Sequence, residues 1–107
     1  MCLKPSRVGW AAARHVHDRC SELGIPVWVG GMLETAIGRA ANLAVAGLPG
    51  MAFPPDLDPR PRFTRDLADP RRPAVRGMVP VPTAPGTDAV PDPDALAGAE
   101  VVGTWSP

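Results

Sequence analysis

Three short apolar runs mark the first half of the chain, at residues 1–4, 25–29 and 51–53. None of them alternates with polar residues, which is typical of parallel strands that are covered on both faces. Pro5 favours extended backbone at the residue before it and cannot continue the hydrogen bonds of a strand. We therefore expect Lys4 at the carboxyl end of the first strand.

Two segments between these runs carry apolar residues at the three- and four-residue spacing of a helix. After a predicted loop at residues 5–9, the first helix is expected over residues 11–23, ended by Gly24. The second is expected to be capped by Thr35 or Glu34. Their expected buried stripes are Ala13, Val16, Cys20 and Leu23, and then Ile37, Ala41, Ala44 and Leu48. The order strand, helix, strand, helix, strand predicts an α/β fold with right-handed crossovers.

A pair of glycines, Gly30 and Gly31, joins the second predicted strand to the second predicted helix. Adjacent glycines let the backbone turn tightly and approach a ligand closely. In parallel α/β proteins, ligands bind at the loops that leave the carboxyl ends of strands. The pair is therefore a candidate binding element, although glycine pairs also mark turns that bind nothing.

The second half of the chain is rich in proline and has no strong period. Twelve of the fifteen prolines follow residue 53, so we expect extended chain and turns there. The expected elements are one helical turn within residues 60–69, a strand pair at 75–81, extended chain at 80–86, a short helix at 92–99 and a strand at 101–105.

Composition and charge exclude several classes of protein. A complete (β/α)8 barrel needs roughly 250 residues, and this chain has 107. Eleven basic and eleven acidic residues cancel without forming blocks, so we expect no nucleic-acid partner. No apolar run approaches the ~20 residues of a membrane span, and the first residues lack the apolar stretch of a signal peptide. We expect a cytoplasmic protein with no membrane partner, and reduced thiols at Cys2 and Cys20. With His17, these cysteines fit no usual zinc spacing.

Short motifs follow one another along nearly the whole chain, and the most specific is GGMLET at residues 30–35. The others are KPSRVG at 4–9, VHD at 16–18, GIPVW at 24–28, GRAAN at 38–42, LPG at 48–50, Asp56, RF at 62–63, DL at 66–67, VPVPT at 79–83 and PG at 85–86. In this order they closely resemble the C-terminal part of the o-succinylbenzoate synthases. That family includes N-acylamino acid racemases and belongs to the enolase superfamily.

The resemblance implies a fold. The chain would be a partial TIM-like barrel, containing the last strands and helices of an enolase-type (β/α)7β barrel. Residues 1–53 would be its βαβαβ end, from the end of strand six to strand eight. Residues 54–107 would be an irregular, proline-rich C-terminal segment that packs on the barrel and on a capping domain.

The resemblance also implies a chemistry, the abstraction of a proton next to a carboxylate of a small-molecule substrate. Dehydration follows in the synthase, which serves menaquinone biosynthesis, and reprotonation follows in the racemase. In the full-length family enzyme, Mg²⁺ or Mn²⁺ stabilises the anion and is bound by three acidic side chains on successive strands.

Five residues match functional positions of this family. Two lysines flank the substrate on opposite faces, and Lys4 matches the catalytic lysine of strand six. Gly31 and Met32 match substrate-binding positions beyond strand seven. Asp56 and Phe63 match a loop that lines the same pocket. Without the resemblance, these would be interpreted as an exposed lysine, a turn glycine, a core methionine, a loop acid and a core aromatic residue.

Other residues of the motifs are expected to support the structure. Glu34 is expected to be a carboxylate at a helix start, favoured by the helix dipole, and not a metal ligand. Arg39 and Asn42 are expected to contribute packing and hydrogen bonds. The chain departs from the family by one missing residue after Val8, and by Pro55, Pro59, Pro61 and Ala84, which alter the expected pocket loops.

The metal ligands, the second lysine and the capping domain would all precede Met1. We therefore expect the isolated chain to bind no metal, to be inactive, and to self-associate or dock on the missing part of the barrel. A non-catalytic remnant or association module remains the alternative. Dehydration and racemisation use the same lysines and metal, so both reactions remain open.

Overall fold

The computed structural model describes residues 1–57, 63–68, 74–83 and 85–104. The described residues form an α/β arrangement with two short strands and four helices. In chain order these are β1 (Cys2–Leu3), α1 (Pro5–Val8), α2 (Trp10–Glu22), β2 (Trp28–Val29), α3 (Ala36–Ala46) and α4 (Pro93–Leu96). No described helix has the length and apolar character needed to cross a membrane.

The sheet is parallel, as the apolar runs predict. β1 and β2 lie side by side, with Leu3 opposite Val29. A third segment continues the parallel order through two isolated bridges, Val27 with Met51 and Gly30 with Asp56. The parallel pairing of β1 and β2 is therefore confirmed, and the third segment follows the same direction through bridges alone.

The strands are shorter than the apolar runs from which they were predicted. Strand β2 covers only two residues of the 25–29 run, because Pro26 has no amide hydrogen to donate to a neighbour. The predicted strand at 51–53 was wrong in extent, since only Met51 forms a bridge there. Two prolines at 54–55 interrupt the pairing, because neither can donate a backbone hydrogen bond.

The predicted loop at residues 5–9 was wrong, because Pro5–Val8 form one helical turn. Proline suits the first position of a helix, where its φ angle is already correct and its missing amide would have no partner within the helix. The amides of Arg7 and Gly9 bond to the carbonyls of Lys4 and Pro5, both at 2.8 Å. Gly9, at φ 82°, separates this turn from α2.

Helix α2 confirms the prediction for residues 11–23 to within one residue at each end. Ala13 and Cys20 are buried as expected, and Val16 is half-buried. Leu23 was assigned wrongly to this stripe, because it is 56% exposed at the end of the helix. Cys20 joins the small core formed with Leu3 and Val27.

His17 is the buried polar residue of α2, which the three- and four-residue spacing did not identify. Its side chain is inside the protein with both ring nitrogens bonded. Nδ1 lies 2.8 Å from the Asp18 carboxylate, and Nε2 lies 2.9 Å from the carbonyl of Pro49. Hydrogen bonds from His17 and from Arg14 lower the pKa of Asp18 below its ordinary value. His17 thus ties α2 to the segment that leads into Met51.

Helix α3 is buried around most of its circumference and not along one stripe. Of the expected stripe, only Ala41 is buried, and Ile37, Ala44 and Leu48 are half-buried. The small alanine side chains allow close contact with β2, α1 and α2. The buried residues are Ala36, Ala40, Ala41, Asn42, Leu43 and Val45.

The described part of the second half follows the expected pattern only locally. The strand pair predicted around Gly77 is a single antiparallel bridge, in which Val75 and Met78 exchange both backbone bonds. Helix α4 confirms the short helix predicted at 92–99, and the Asp92 carboxylate accepts from the amide of Asp94 at 2.9 Å. Residues 79–83 have no regular secondary structure, and Val81 lies directly against Gly47 at the end of α3.

Two expected elements of the second half are absent from the described residues. Residues 63–68 contain bends and a bridge but no helical turn, and residues 101–104 contain no strand. The remainder of those two expected elements lies outside the described residues, as do Pro59, Pro61, Arg62, Ala84 and Trp105.

Candidate functional site

Lys4 lies at the carboxyl end of β1, immediately before α1, where the sequence predicted it. Its side chain is half-buried, and Nζ donates a hydrogen bond to the carbonyl of Gly31 at 3.2 Å. The Sδ atom of Met32 lies 3.7 Å from the same nitrogen. Two of the predicted substrate-binding residues are thus the described partners of the predicted catalytic lysine.

The sequence contains a further signal that Lys4 is unusual. It is the only lysine of the chain, since the other ten basic residues are arginines. Unlike the guanidinium of arginine, which stays charged, a lysine side chain ends in an amine that can release its proton.

The two glycines are required by what lies against them and not by a positive φ angle. A Cβ atom on Gly30 would lie 2.7 Å from Cys2 Sγ and 3.1 Å from Lys4 Nζ. A Cβ atom on Gly31 would lie 2.5 Å from the carbonyl oxygen of Asp56. At Gly31 the obstacle is a backbone atom, so a side chain there requires the main chain to move, whereas at Gly30 it requires the Cys2 and Lys4 side chains to move.

Asp56 joins this turn through its main chain. Its carbonyl accepts from the amide of Gly31 at 2.8 Å, and its own amide donates to Val29 at 2.9 Å. Its carboxylate is exposed. Phe63 is 39% exposed and shares none of the described hydrogen bonds of the turn. Of the five predicted residues, the structure thus brings together Lys4, Gly31, Met32 and Asp56.

The loop after the glycines is held by Glu34. Both oxygens of its carboxylate accept from the amide of Met32, at 2.8 and 2.7 Å. The side chain lies against Gly38, where a Cβ atom would be 3.0 Å from that of Glu34. The expectation that Glu34 serves the helix start was wrong, because its carboxylate turns back to Met32 and Thr35 is the N-cap residue of α3.

Asp66 supplies the carboxylate at the start of α3. It accepts from the amides of Ala36 and Leu67, both at 2.8 Å, and from Arg39 Nη2 at 2.8 Å. The side chains of Arg39 and Asp66 are 14% and 5% exposed. Burial would raise the pKa of Asp66, but the two amides and the guanidinium outweigh it and hold that pKa below its ordinary value.

Arg39 was correctly expected to form hydrogen bonds, since it also donates from Nη1 to the carbonyl of Glu34 at 3.1 Å. Asn42 is buried as expected, but its Nδ2 atom has no hydrogen-bond partner among the described residues. The role of Asp66 was missed. Arg39 and Asp66 are 27 residues apart, and no local spacing connects them.

The described residues do not fit a divalent cation. Among them, no group of three or more His, Cys, Asp or Glu side chains is close enough to hold a metal ion. Near the turn, Glu34 is bonded to Met32, and Asp66 to Arg39 and two amides. Mg²⁺ prefers several oxygen ligands in near-octahedral geometry, and these carboxylates are already bonded elsewhere.

Lys4 is the group of the site that can act on a substrate. Its described partners are a carbonyl oxygen and a thioether, and none of the described ion pairs includes it. An ammonium group with neutral partners at a strand tip can bind an anion, and after losing its proton it can act as a base.

The chain is similar to known proteins along most of its length. A family model described as enolase C-terminal domain-like matches residues 1–95. An N-succinylamino acid racemase of Amycolatopsis sp is 45% identical over 105 residues, which cover 96% of this chain and 28% of the racemase. The o-succinylbenzoate synthase of Geobacillus kaustophilus is 44% identical over 87 residues, which cover 78% of this chain and 23% of the synthase.

A solved structure also resembles this chain. A member of the enolase superfamily from Listeria innocua superposes with a TM-score of 0.78 at 36% sequence identity. The superposition covers 89% of this chain and 26% of that protein. The chain therefore spans about a quarter of the length of the relatives that it matches.

Proposed function

Because this chain belongs to the family of enolase C-terminal domain-like proteins, we propose that it is the C-terminal part of an o-succinylbenzoate synthase-like lyase or an N-acylamino acid racemase. The observation that carries the proposal is the position of Lys4. The only lysine of the chain lies at the end of β1, with Nζ on the turn formed by the GGMLET motif.

In this proposal, the parallel segments of the chain are the last strands of an enolase-type (β/α)7β barrel. The order β1, β2 and the segment with Met51 and Asp56 supports it, because neighbouring strands of such a barrel are parallel and consecutive. Residues beyond 53 would pack on the barrel and on a capping domain. The rest of the barrel would supply the second lysine and the three acidic ligands of Mg²⁺ or Mn²⁺.

Lys4 would act on the carbon next to the substrate carboxylate. In racemisation, its amine would remove or return the proton on one face, while the second lysine serves the other face. In dehydration, its ammonium group would stabilise the anion that forms when the proton leaves. Gly31 and Met32 would hold the lysine beside the substrate, and Asp56 and Phe63 would line the pocket.

The test is to join this chain to the missing part of a relative. In the N-succinylamino acid racemase of Amycolatopsis sp, the 28% that aligns with this chain is replaced by residues 1–107. We expect the hybrid enzyme to turn over the racemase substrate in the presence of Mg²⁺ or Mn²⁺, because it again contains both lysines. The measurements are polarimetry for racemisation and absorbance for dehydration.

The control is the same hybrid with Lys4→Ala, which should be folded but inactive. A folded hybrid that turns over neither substrate would contradict the proposal. Equal activity of the hybrid and its Lys4→Ala variant would contradict the role of Lys4 alone.

An association module is the second candidate, because exposed apolar side chains favour it. Several large ones are 40–57% exposed in the first 25 residues, namely Met1, Val8, Trp10, Leu23 and Ile25. Such side chains commonly mark a surface that another chain segment covers. Under this alternative the chain would bind the rest of a barrel, or a second copy of itself, without taking part in chemistry.

A further inference from the structure

We propose that Asp66 and Arg39 are positioning residues for Lys4, which they hold in place through the loop of residues 31–34. The inference rests on the proposed function, in which Lys4 acts on substrate. Neither Asp66 nor Arg39 has a described contact with Lys4. Their effect passes through Glu34 and Met32, one hydrogen bond at a time.

The first step lies between Lys4 and the loop. Both described partners of Nζ are loop residues, the carbonyl of Gly31 at 3.2 Å and the Sδ atom of Met32 at 3.7 Å. A lysine side chain has four rotatable bonds and loses much conformational freedom when it is held in one place. The position of the loop therefore determines where the ammonium group is held.

The second step lies between the loop and the start of α3. Glu34 grips the amide of Met32 with both carboxylate oxygens, at 2.8 and 2.7 Å. Gly38 gives the Glu34 side chain the room to fold back in this way. Arg39 then holds the backbone of Glu34, by donating from Nη1 to its carbonyl at 3.1 Å.

The third step connects α3 to a distant part of the chain. Asp66 bonds Arg39 Nη2 at 2.8 Å and also accepts from the first amide of α3, that of Ala36. The pair is well buried, so water competes weakly for these bonds. One carboxylate therefore fixes both the guanidinium and the helix start from which the loop extends.

Loss of the Arg39–Asp66 pair has a different effect if the pair only stabilises the fold than if it positions Lys4. Loss of a structural pair would disturb the whole core, including Met51 beside Val27. Loss of a positioning pair would disturb Met32 and Lys4 and leave Met51 unchanged. The chain has four methionines and one lysine, so these groups give separate and assignable NMR signals.

The experiment uses the 107-residue chain with ¹³C-labelled methionine methyl groups and ¹⁵N-labelled lysine. Methyl signals remain observable if the chain associates with itself. In Asp66→Asn, we expect the Met32 methyl and the Lys4 Nζ signals to move toward their positions in an unstructured peptide, while Met51 and Met78 stay in place. The amide of Met32 should exchange with solvent at least about tenfold faster, because the loop opens more often.

Two further variants complete the design. Arg39→Lys keeps the charge opposite Asp66 and leaves its amide bonds in place, but lacks the fork that reaches Glu34. Arg39→Lys should shift the Met32 signal as Asp66→Asn does. It therefore tests the inference even if Asp66→Asn is poorly folded. The control is Glu22→Gln, which removes an exposed ion pair with Arg19 on α2 and should shift neither Met32 nor Lys4.

Three results would overturn the inference. The first is a Met32 signal that stays in place in both Asp66→Asn and Arg39→Lys. The second is a shift of Met51 as large as that of Met32, which indicates a structural role. The third is a parent chain whose Met32 signal already matches free methionine. None of them bears on the hybrid enzyme, so failure of this inference and failure of the proposed function are distinguishable.

Discussion

At the scale of single residues, the glycine turn leaves no space for a side chain at Gly31. The backbone of Gly31 approaches Asp56 so closely that the nearest atom to a Cβ would be a carbonyl oxygen. Backbone atoms cannot rotate away as the end of a flexible side chain can. The turn can therefore accommodate a side chain only by separating β2 from the neighbouring segment.

Gly31→Ala tests this constraint. We expect the free energy of unfolding to fall by about 1–3 kcal/mol, the usual cost of forcing an extra carbon into a packed site. Gly98→Ala is the matched control, because no described atom lies within 4 Å of its Cβ position. The control should change stability by no more than about 0.5 kcal/mol. Equal urea midpoints for both variants would contradict the close approach.

The two histidines of α2 offer a second matched comparison. His17 is buried between Asp18 and Pro49, whereas His15 is exposed two residues earlier. His17→Ala leaves the Pro49 carbonyl without its partner and should lower the free energy of unfolding by about 1–3 kcal/mol. His15→Ala should have almost no effect. The measurement is thermal unfolding of the two variants. Equal melting temperatures would contradict a stabilising bond between His17 and Pro49.

At the scale of elements, Asp66 makes the stability of α3 depend on pH. Its pKa lies below the ordinary value in the folded chain, so its charge stabilises the fold above the unfolded pKa. That stabilisation is lost as the pH falls through the folded pKa. The stabilisation by Asp66 therefore changes with pH only on the acid side of about pH 4, and it is complete at neutral pH.

Asp66→Asn should remove this contribution. At about pH 7, we expect the free energy of unfolding to fall by about 1–3 kcal/mol, the usual worth of a hydrogen bond to a charged group. The gap between parent and variant should narrow as the pH falls below about 4, because the parent then loses the same charge. Urea unfolding across this range is the measurement, with Glu22→Gln as the control. A difference in the free energy of unfolding between parent and Asp66→Asn that does not change with pH would contradict the stabilising charge of Asp66.

The sequence correctly predicted those elements that are determined by residues close together in the chain. Pro5 and Gly24 bracket the segment between β1 and β2, and the three- and four-residue spacing located α2. Pro5 was also the source of an error, because proline favours both loops and the first position of a helix. For α3, alanines on every side left no single apolar stripe from which the buried face could be read.

The candidate site likewise has one part that the sequence predicts and another that it does not. Lys4 and the glycines could be placed because a strand end and a turn are local features. The Arg39–Asp66 pair could not, because its members are 27 positions apart in the sequence. The tertiary fold brings them together, and no local spacing in the sequence indicates it.

At the scale of the whole molecule, the described chain leaves much apolar surface exposed. Beyond the side chains near the first strand, Leu33, Val75, Met78, Val90 and Val102 are each 63–89% exposed. Apolar surface of this kind drives association unless another segment covers it. Strand β1 is also paired with only one neighbour among the described residues.

The isolated chain should therefore self-associate. Sedimentation velocity over a range of concentrations should give species heavier than the monomer, increasing with concentration. Its amide exchange should be fast compared with that of a hybrid in which the rest of the barrel covers these surfaces. A monodisperse, well-protected monomer would contradict this expectation and would mean that residues beyond 53 cover the exposed faces.

The most direct test of the role of Lys4 is exchange of the substrate's α-proton with solvent deuterium. The hybrid enzyme is compared with its Lys4→Ala and Lys4→Arg variants, using each enantiomer of an N-succinylamino acid in D₂O. If Lys4 serves one face of the substrate, the parent exchanges both enantiomers. Lys4→Ala should then lose exchange of one of them by at least about a hundredfold, the usual range for acid–base catalysis.

Lys4→Arg separates the two possible roles, because arginine keeps its charge but does not release its proton. We predict little recovery in Lys4→Arg for the affected enantiomer, as proton transfer requires. If Lys4 instead stabilises the anion by its charge, Lys4→Ala should slow exchange of both enantiomers, and Lys4→Arg should recover part of that exchange. Exchange of both enantiomers by Lys4→Ala within about threefold of the parent would contradict the assignment of Lys4.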